Sequence, residues 1–293
     1  MSNLAIKIDI DTLRGYKEGT PRLLNLLKKH GISASIFFSF GPDNSGKAIR
    51  RIFRKGFISK MLRTKAPSTY GWKTLFYGTL LPAPMIVASD PDIFKRAHAE
   101  GHDCGVHAWD HVLTQDKLQT MSENDFESLY GKAAAMFEKI SGCRPTCYAA
   151  PGWQVSEASL AAQERLKLKY ATDTRGRSPF MPKYKSRSFS VPQIPTTMPT
   201  MDEILGLEGV TDESLPVVWI GLLNNEWNVL TVHAEMEGLS KLGVFEDFIL
   251  RAKADGVRFL TLREVAEKAE KASGEIVAGC LPGRAGSVAL QSA

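Results

Sequence analysis

Cysteine is scarce in this sequence: four in 293 residues, at Cys104, Cys143, Cys147 and Cys280. A chain of this length with 43% apolar residues buries a full core without cross-links, so a cystine-stapled scaffold is excluded and the thiols fit a reducing compartment. Cys143 and Cys147 bracket Arg-Pro-Thr at a spacing some metal sites use, but no second Cys or His pair accompanies them. Ordinary buried thiols are the expectation, not a structural zinc. Long apolar runs are missing too. The most apolar stretch, residues 80–88, is broken by Pro82 and Pro84 and is too short to span a bilayer. Acidic residues are absent from one segment: from Asn44 to Ser89 there are nine Lys or Arg and no Asp or Glu. Removing those nine charges from the formal net +5 leaves −4, so the positive balance belongs to that segment, where an acidic partner is expected. No apolar leader separates Met1 from the alternating run at residues 4–11, so no signal peptide and a cytoplasmic location are expected.

What is present is a repeated alternation of strand and helix signals. Residues 4–11 read as a strand, and Thr20 with Pro21 supplies an N-cap and first-turn proline for a helix through Lys29 that stops at Gly31. Further strands are expected at 33–39, 103–107, 146–149, 169–173, 228–233 and 258–260. Helices are expected at 90–100, from the Ser122 and Asp125 capping box to about residue 140, at 156–167, at 244–254, and after a cap at Thr261 and Glu264. Such alternation argues for an α/β fold with a parallel sheet, and over this length for a (β/α) barrel. One catalytic domain is expected over 1–273. It carries an insertion at 41–87 after the second strand, and a flexible small-residue tail follows at 274–293.

In Ile8-Asp9-Ile10-Asp11, strand geometry places both carboxylates on one face, expensive in a barrel interior unless a cation sits between them. A lone Asp-x-Asp more often caps a turn and forms an ion pair. His107-Ala-Trp-Asp-His111 spaces two imidazoles four residues apart, as on one helical turn converging on an ion. The zinc-protease pattern has Glu after its first His; Ala108 stands there, so a hydrolytic base has to come from elsewhere. Taken singly, His233 reads as a core histidine and Asp173 as a turn residue. Together, Asp9, Asp11, His107, Asp173 and His233 fall at the C-terminal ends of separate predicted strands, which meet at one mouth in a barrel. Two His and one carboxylate leave metal positions open for water and substrate.

These residues in order, with the Ala149-Ala-Pro151-Gly-Trp153 turn, resemble the motifs of the polysaccharide deacetylase family over about residues 4–269, excluding the basic insertion. Within it, Ile8-Asp-Ile-Asp-Thr-Leu-Arg14-Gly, Cys147-Tyr-Ala-Ala-Pro-Gly-Trp153 and Leu230-Thr-Val-His-Ala-Glu-Met-Glu-Gly238 are similar to the branch that deformylates 4-deoxy-4-formamido-L-arabinose carried on phosphoundecaprenol. The resemblance implies that the barrel is a distorted (β/α) barrel, and it implies a hydrolase of a linear amide bond acting in the modification of lipid A with 4-amino-4-deoxy-L-arabinose, which confers resistance to cationic peptides. It further implies one divalent ion (zinc, manganese, cobalt or nickel) on Asp11, His107 and His111, with Asp9 as general base and His233 as general acid. Pro151, Trp153, Asp173 and Arg175 are the residues expected to bind or orient substrate. Two positions depart from the family pattern: Ile10 separates aspartates that are adjacent in many members, and Ala149 stands where an Arg usually orients the base. Arg175, beside Asp173, is the expected substitute, and Asp173 the expected partner keeping His233 cationic.

In the insertion, Ile49, Ile52, Phe53, Phe57 and Met61 lie at helical spacing, while Arg50, Arg51, Arg54, Lys55, Lys60 and Arg63 fill much of the rest. Each basic residue near an anionic leaflet contributes about 1 kcal/mol. This basic amphipathic pattern is expected to dock the protein on the cytoplasmic face of the inner membrane through Arg50, Arg51, Phe53, Arg54, Lys55 and Phe57, in preference to a solvated charged loop. Rival readings fare worse. A deacetylase of another N-acetylated saccharide would share the metal site, but such polymers lie outside the cytoplasm. A nucleic-acid binder would need aromatic platforms beyond Phe53 and Phe57, so no nucleic-acid partner is expected. An inactive membrane-docking relative would not need Asp9 and His233.

Overall fold

The computed structural model describes residues 2–48 and 71–292. Its first strand turns the sequence pattern into architecture. In β1 (Asn3–Ile10), Leu4, Ile6, Ile8 and Ile10 join the large core under the helices, while Ala5, Lys7 and Asp9 alternate onto the barrel interior. Each aliphatic side chain on the outer face contributes about 1.5–3 kcal/mol on burial. A π-helical turn at Gly15–Gly19 then runs into α1 (Thr20–His30), which ends at Gly31 with φ 63°. Thr20 is therefore not the N-cap expected of it, because the backbone before it is already helical. Thr12 takes that task, its hydroxyl accepting from the Gly15 N–H at 3.1 Å.

The alternation continues through β2 (Ser35–Ser39), α2 (Pro91–Ala99), β3 (Asp103–Ala108), α3 (His111–Lys117), α4 (Glu123–Ser141), β4 (Cys147–Tyr148), α5 (Glu157–Arg165) and β5 (Tyr170–Ala171). Capping boxes open α4 at Ser122 and α5 at Ser156. After β6 (Phe180–Tyr184), β7 (Arg187–Ser188), α6 (Met201–Ile204) and α7 (Leu215–Gly221) come β8 (Trp227–His233), α8 (Leu242–Ala254), β9 (Arg258–Leu260) and α9 (Leu262–Lys268), the last capped by Thr261 and Glu264.

Seven strands form one parallel sheet in the order β5-β4-β3-β2-β1-β8, with β9 also on β1. β1 is its hub, pairing with β8 from Asn3 to Asp9, with β2 from Lys7 to Ile10 and with β9 from Asn3 to Ala5. Between β5 and β8 an irregular segment stands in for a strand. There the Ile194 N–H bonds Ala171 O at 2.8 Å, and the Thr197 and Met198 N–H groups bond Val229 O at 3.1 Å. Pro192, Pro195 and Pro199 account for the irregularity, since proline offers no ladder donor. The result is the expected α/β fold, distorted to a half-barrel.

The tail expected to be flexible is strand instead. β10 (Ala272–Cys280) pairs in parallel with β6 and antiparallel with β11 (Ser287–Gln291), in a second sheet ordered β11-β10-β6-β7. Its apolar pattern is weak because only Ile276, Val288 and Ala289 are buried from it, Ile276 and Ala289 packing with Val155, Leu160, Phe180 and Phe189. Cys104 and Cys147 are buried as expected, whereas Cys143 and Cys280 are exposed. The basic amphipathic pattern at 49–63, with its docking residues from Arg50 to Phe57, lies outside the described residues. Among the described residues no helix is long and apolar enough to cross a membrane.

Candidate metal centre and hydrolytic site

His107 and His111 converge across a strand-to-helix corner. The single helical turn expected from their spacing does not form, because His107 still belongs to β3 and His111 is the first residue of α3. Asp110 between them caps α3, accepting the Leu113 N–H at 2.9 Å, and is pinned by Asn44 Nδ2 at 2.6 Å. The two rings sit 5.1 Å apart. His107 Nδ1 lies 2.7 Å from the Ala149 carbonyl, which can only accept, so Nδ1 carries the proton and Nε2 keeps its lone pair. The Nε2 atoms of His107 and His111 lie 3.2 and 3.4 Å from Asp11 Oδ1, a buried oxygen that accepts no hydrogen bond. One carboxylate oxygen and two ring nitrogens within 4.8 Å form a donor set suited to a divalent ion. Burial opposes the charge on Asp11, but His111, His107 and His233 outweigh it and hold the carboxyl far below its usual range.

The turn carrying Asp11 is held from the segment that follows β8. Glu235 Oε1 accepts the N–H groups of Asp11 and Thr12 at 3.1 and 2.8 Å and the Thr12 hydroxyl at 2.8 Å. Gly15 is required beside it, since a Cβ there would lie 2.0 Å from the same oxygen. Burial, then the Asp11 charge, raises Glu235 to about 8. No motif marks Glu235 out, although a carboxylate directly after a buried strand is itself a signal.

Asp9 and His233 are register partners on β1 and β8, so their side chains leave the sheet on the same face. Asp9 Oδ2 is ion-paired with Lys7 Nζ, while Oδ1 is buried and accepts no hydrogen bond. For His233, burial opposes the imidazolium, but Asp11, Asp202, Glu237 and Asp9 together raise its pKa. Glu237 Oε2 also accepts the His233 N–H at 2.8 Å. Asp173 does not serve His233 as expected. Its oxygens accept from the Ala150 N–H at 2.8 Å, Gln163 Nε2 at 2.7 Å and Gln193 Nε2 at 3.3 Å, and burial raises its pKa to about 6. Asp173 thus ties down the turn through Pro151.

Arg175 does not reach Asp9 either. Its Nη1 grips both oxygens of Glu203 at 2.6 and 2.8 Å, and Nε and Nη2 bond the Thr196 and Met198 carbonyls at 3.2 and 2.9 Å. Trp153, in the left-handed region at φ 53°, is buried, with the Arg175 and Arg284 guanidiniums 5.0 and 4.3 Å from its ring and Nε1 bonded to Thr196 Oγ1. Pro151 is buried with it, so the turn builds the wall of the mouth. Arg284 arrives on the hairpin between β10 and β11, a contact no local pattern announces.

The polysaccharide deacetylase family profile matches residues 8–171. A Shewanella sediminis protein assigned as 4-deoxy-4-formamido-L-arabinose-phosphoundecaprenol deformylase is 38% identical over 91% of this chain and 87% of its own length. A Wigglesworthia glossinidia brevipalpis protein with the same assignment is 31% identical over 87% and 89%. Among solved structures, one from Mycobacterium smegmatis assigned as a polysaccharide deacetylase superposes with a TM-score of 0.64 at 15% identity, covering 90% of this chain and 88% of that one. The peptidoglycan deacetylase PdaC of Bacillus subtilis superposes with a TM-score of 0.53 at 14% identity, covering 91% and 90%. Identities that low establish a shared fold alone. With the profile matched over more than half of its length and a relative above 30% identity along most of it, the chain belongs to the polysaccharide deacetylase family of amide-bond hydrolases.

Proposed function

We propose that the protein hydrolyses the formamide of 4-deoxy-4-formamido-L-arabinose-phosphoundecaprenol, giving formate and the free amino-sugar lipid. The observation that carries this reading is the register pairing of Asp9 with His233 beside the Asp11, His107 and His111 donor set at one barrel mouth. The substrate comes from the relatives' assignment. Asp11, His107 and His111 would hold a divalent ion, and two His with one carboxylate suit zinc, manganese, cobalt or nickel. Such an ion, when bound, supplies Lewis-acid polarisation of the amide oxygen and a water of lowered pKa.

The remaining steps belong to the chain's own groups. Asp9 Oδ1, buried and without a donor, takes a proton from the attacking water as the C–O bond forms. His233, whose pKa the surrounding carboxylates raise against its burial, gives its proton to the amide nitrogen as the C–N bond breaks. The leaving group departs as a neutral amine, and the formyl carbon leaves as formate. The Asp9 pair with Lys7 and the Glu237 bond to the His233 backbone keep base and acid in place between turnovers.

The lipid-linked substrate calls for a membrane-facing surface. Trp72 is 65% and Leu80 79% exposed, with Lys73 Nζ 5.8 Å from the Trp72 ring. An exposed aromatic, leucine and lysine suit the headgroup boundary, and they lie in the same insertion, C-terminal to its basic amphipathic pattern. This supports peripheral docking on an anionic leaflet, on the cytoplasmic side where the basic segment meets anionic lipid. The test is formate release from the formamido-sugar lipid by manganese-loaded protein, with and without chelator, beside His233→Ala. Chelator-sensitive release absent in the variant supports the reading. Acetate release from an N-acetylated saccharide with no formate release would replace it with a deacetylase.

A further inference from the structure

The barrel interior holds an unexpected cation. Lys7 is fully buried, its Nζ lies 5.6 Å from both the Phe37 and the Trp153 ring centroids, and it is ion-paired with Asp9. Its register neighbours are Ser35 on β2 and Thr231 on β8, neither of them charged. Asp173 is near enough to feel the Lys7 charge, but both its oxygens are already occupied by Ala150, Gln163 and Gln193. Removing an ammonium from water costs several kcal/mol, and a well-packed apolar residue in its place is often neutral or better for stability. Space for the lysine exists because Ala5, Ala149 and Phe37 line the interior beneath the mouth.

We infer that Lys7 is the positioning residue for the hydrolytic base: it grips Asp9 Oδ2 from below and leaves Oδ1 as the single open acceptor facing the water. The alternation of β1 makes this geometry, since residues two apart leave a strand on the same face and Nζ reaches the carboxylate two positions on. Without that grip, Asp9 rotates among several orientations and presents Oδ1 productively only part of the time. The loss then falls on turnover rather than on substrate affinity, because Lys7 lies below the carboxylate and touches no substrate.

This inference rests on the hydrolase reading above, and a double-mutant cycle separates the two. Manganese-loaded wild type, Lys7→Met, Asp9→Asn and the double variant are assayed for formate release, with acetate release from a chitooligosaccharide as control. General-base catalysis contributes about 10²–10⁴-fold, so Asp9→Asn is expected to lose on the order of 10³ in kcat and Lys7→Met about 10² with KM little changed. The double variant is expected to equal Asp9→Asn, because Lys7 has nothing to position once Asp9 is gone. Lys7→Gln, which retains a donor to Oδ2, is expected to recover most of the loss, and Lys7→Leu, which has no donor, carries the cycle if Lys7→Met does not fold. Losses that multiply in the double variant, or wild-type kcat in folded Lys7→Met, overturn the inference while leaving the hydrolase reading intact. Wild-type protein that releases neither acid with metal present overturns both.

Discussion

Removing the carboxylate of Glu235 should loosen the metal centre without touching a metal ligand. In Glu235→Ala, the N–H groups of Asp11 and Thr12 and the Thr12 hydroxyl lose the acceptor they share. A buried donor left unpaired costs about 1–3 kcal/mol. Water entering the vacated space recovers part of this, leaving a net loss of about 3 kcal/mol in the metal-free protein. Freed from that anchor, the Asp11 turn presents Oδ1 less faithfully to His107 and His111, and losing such an outer partner weakens metal binding by about 10–100-fold. Glu235→Gln retains an oxygen that can accept all three bonds, so its manganese affinity should stay close to wild type. Urea unfolding of the metal-free proteins and calorimetric titration with manganese read the two effects separately. An alanine variant that binds manganese as tightly as wild type and unfolds at the same urea concentration would refute the reasoning, for the Asp11 turn would then hold itself.

Three further expectations follow from the same geometry. Arg175→Ala leaves buried Glu203 with only the longer Arg284 contact at 3.7 Å as an ion pair, so it should cost up to about 3 kcal/mol in a denaturant melt while folded enzyme keeps its turnover; lost turnover with unchanged stability would return Arg175 to an orienting role. Asp173, raised to about 6 by burial, binds its proton more tightly folded than unfolded. Wild-type stability should therefore fall by up to about 3 kcal/mol as pH rises from about 4 to about 6, and Asp173→Asn should lose that component in urea melts across the range; a gap between the two proteins that does not change with pH would contradict it. Trp72→Ala with Leu80→Ala should reduce sedimentation with phosphatidylglycerol vesicles by about tenfold or more, given the apolar area both expose; unchanged binding would move the docking surface elsewhere.

Period-2 and helical patterns are local, so β1, α1, the capping boxes at Ser122 and Thr261 and the alternating α/β order could be read from the chain alone. Placement of Asp9, Asp11, His107, Asp173 and His233 near strand ends was equally legible, because strand ends in a parallel fold gather at one mouth. What those residues touch was not. Arg175 looked free to orient Asp9, yet Glu203 and two carbonyls from the irregular segment claim it. Asp173 looked suited to His233, yet Gln163 and Gln193, from α5 and from the proline-rich stretch, fill its oxygens. Gly274–Ala293 looked flexible because its strands rely on pairing with β6, a partner nearly a hundred residues away, and not on an apolar face of their own. Sequence by itself determined the fold class and which polar side chains fall near the strand ends, since propensity and periodicity act over a few residues. Only tertiary structure decided the partners of each polar group, because buried groups are satisfied by whatever distant segment closes over them, as Lys7 is by Asp9 beneath Trp153 and the Asp11 backbone N–H by Glu235.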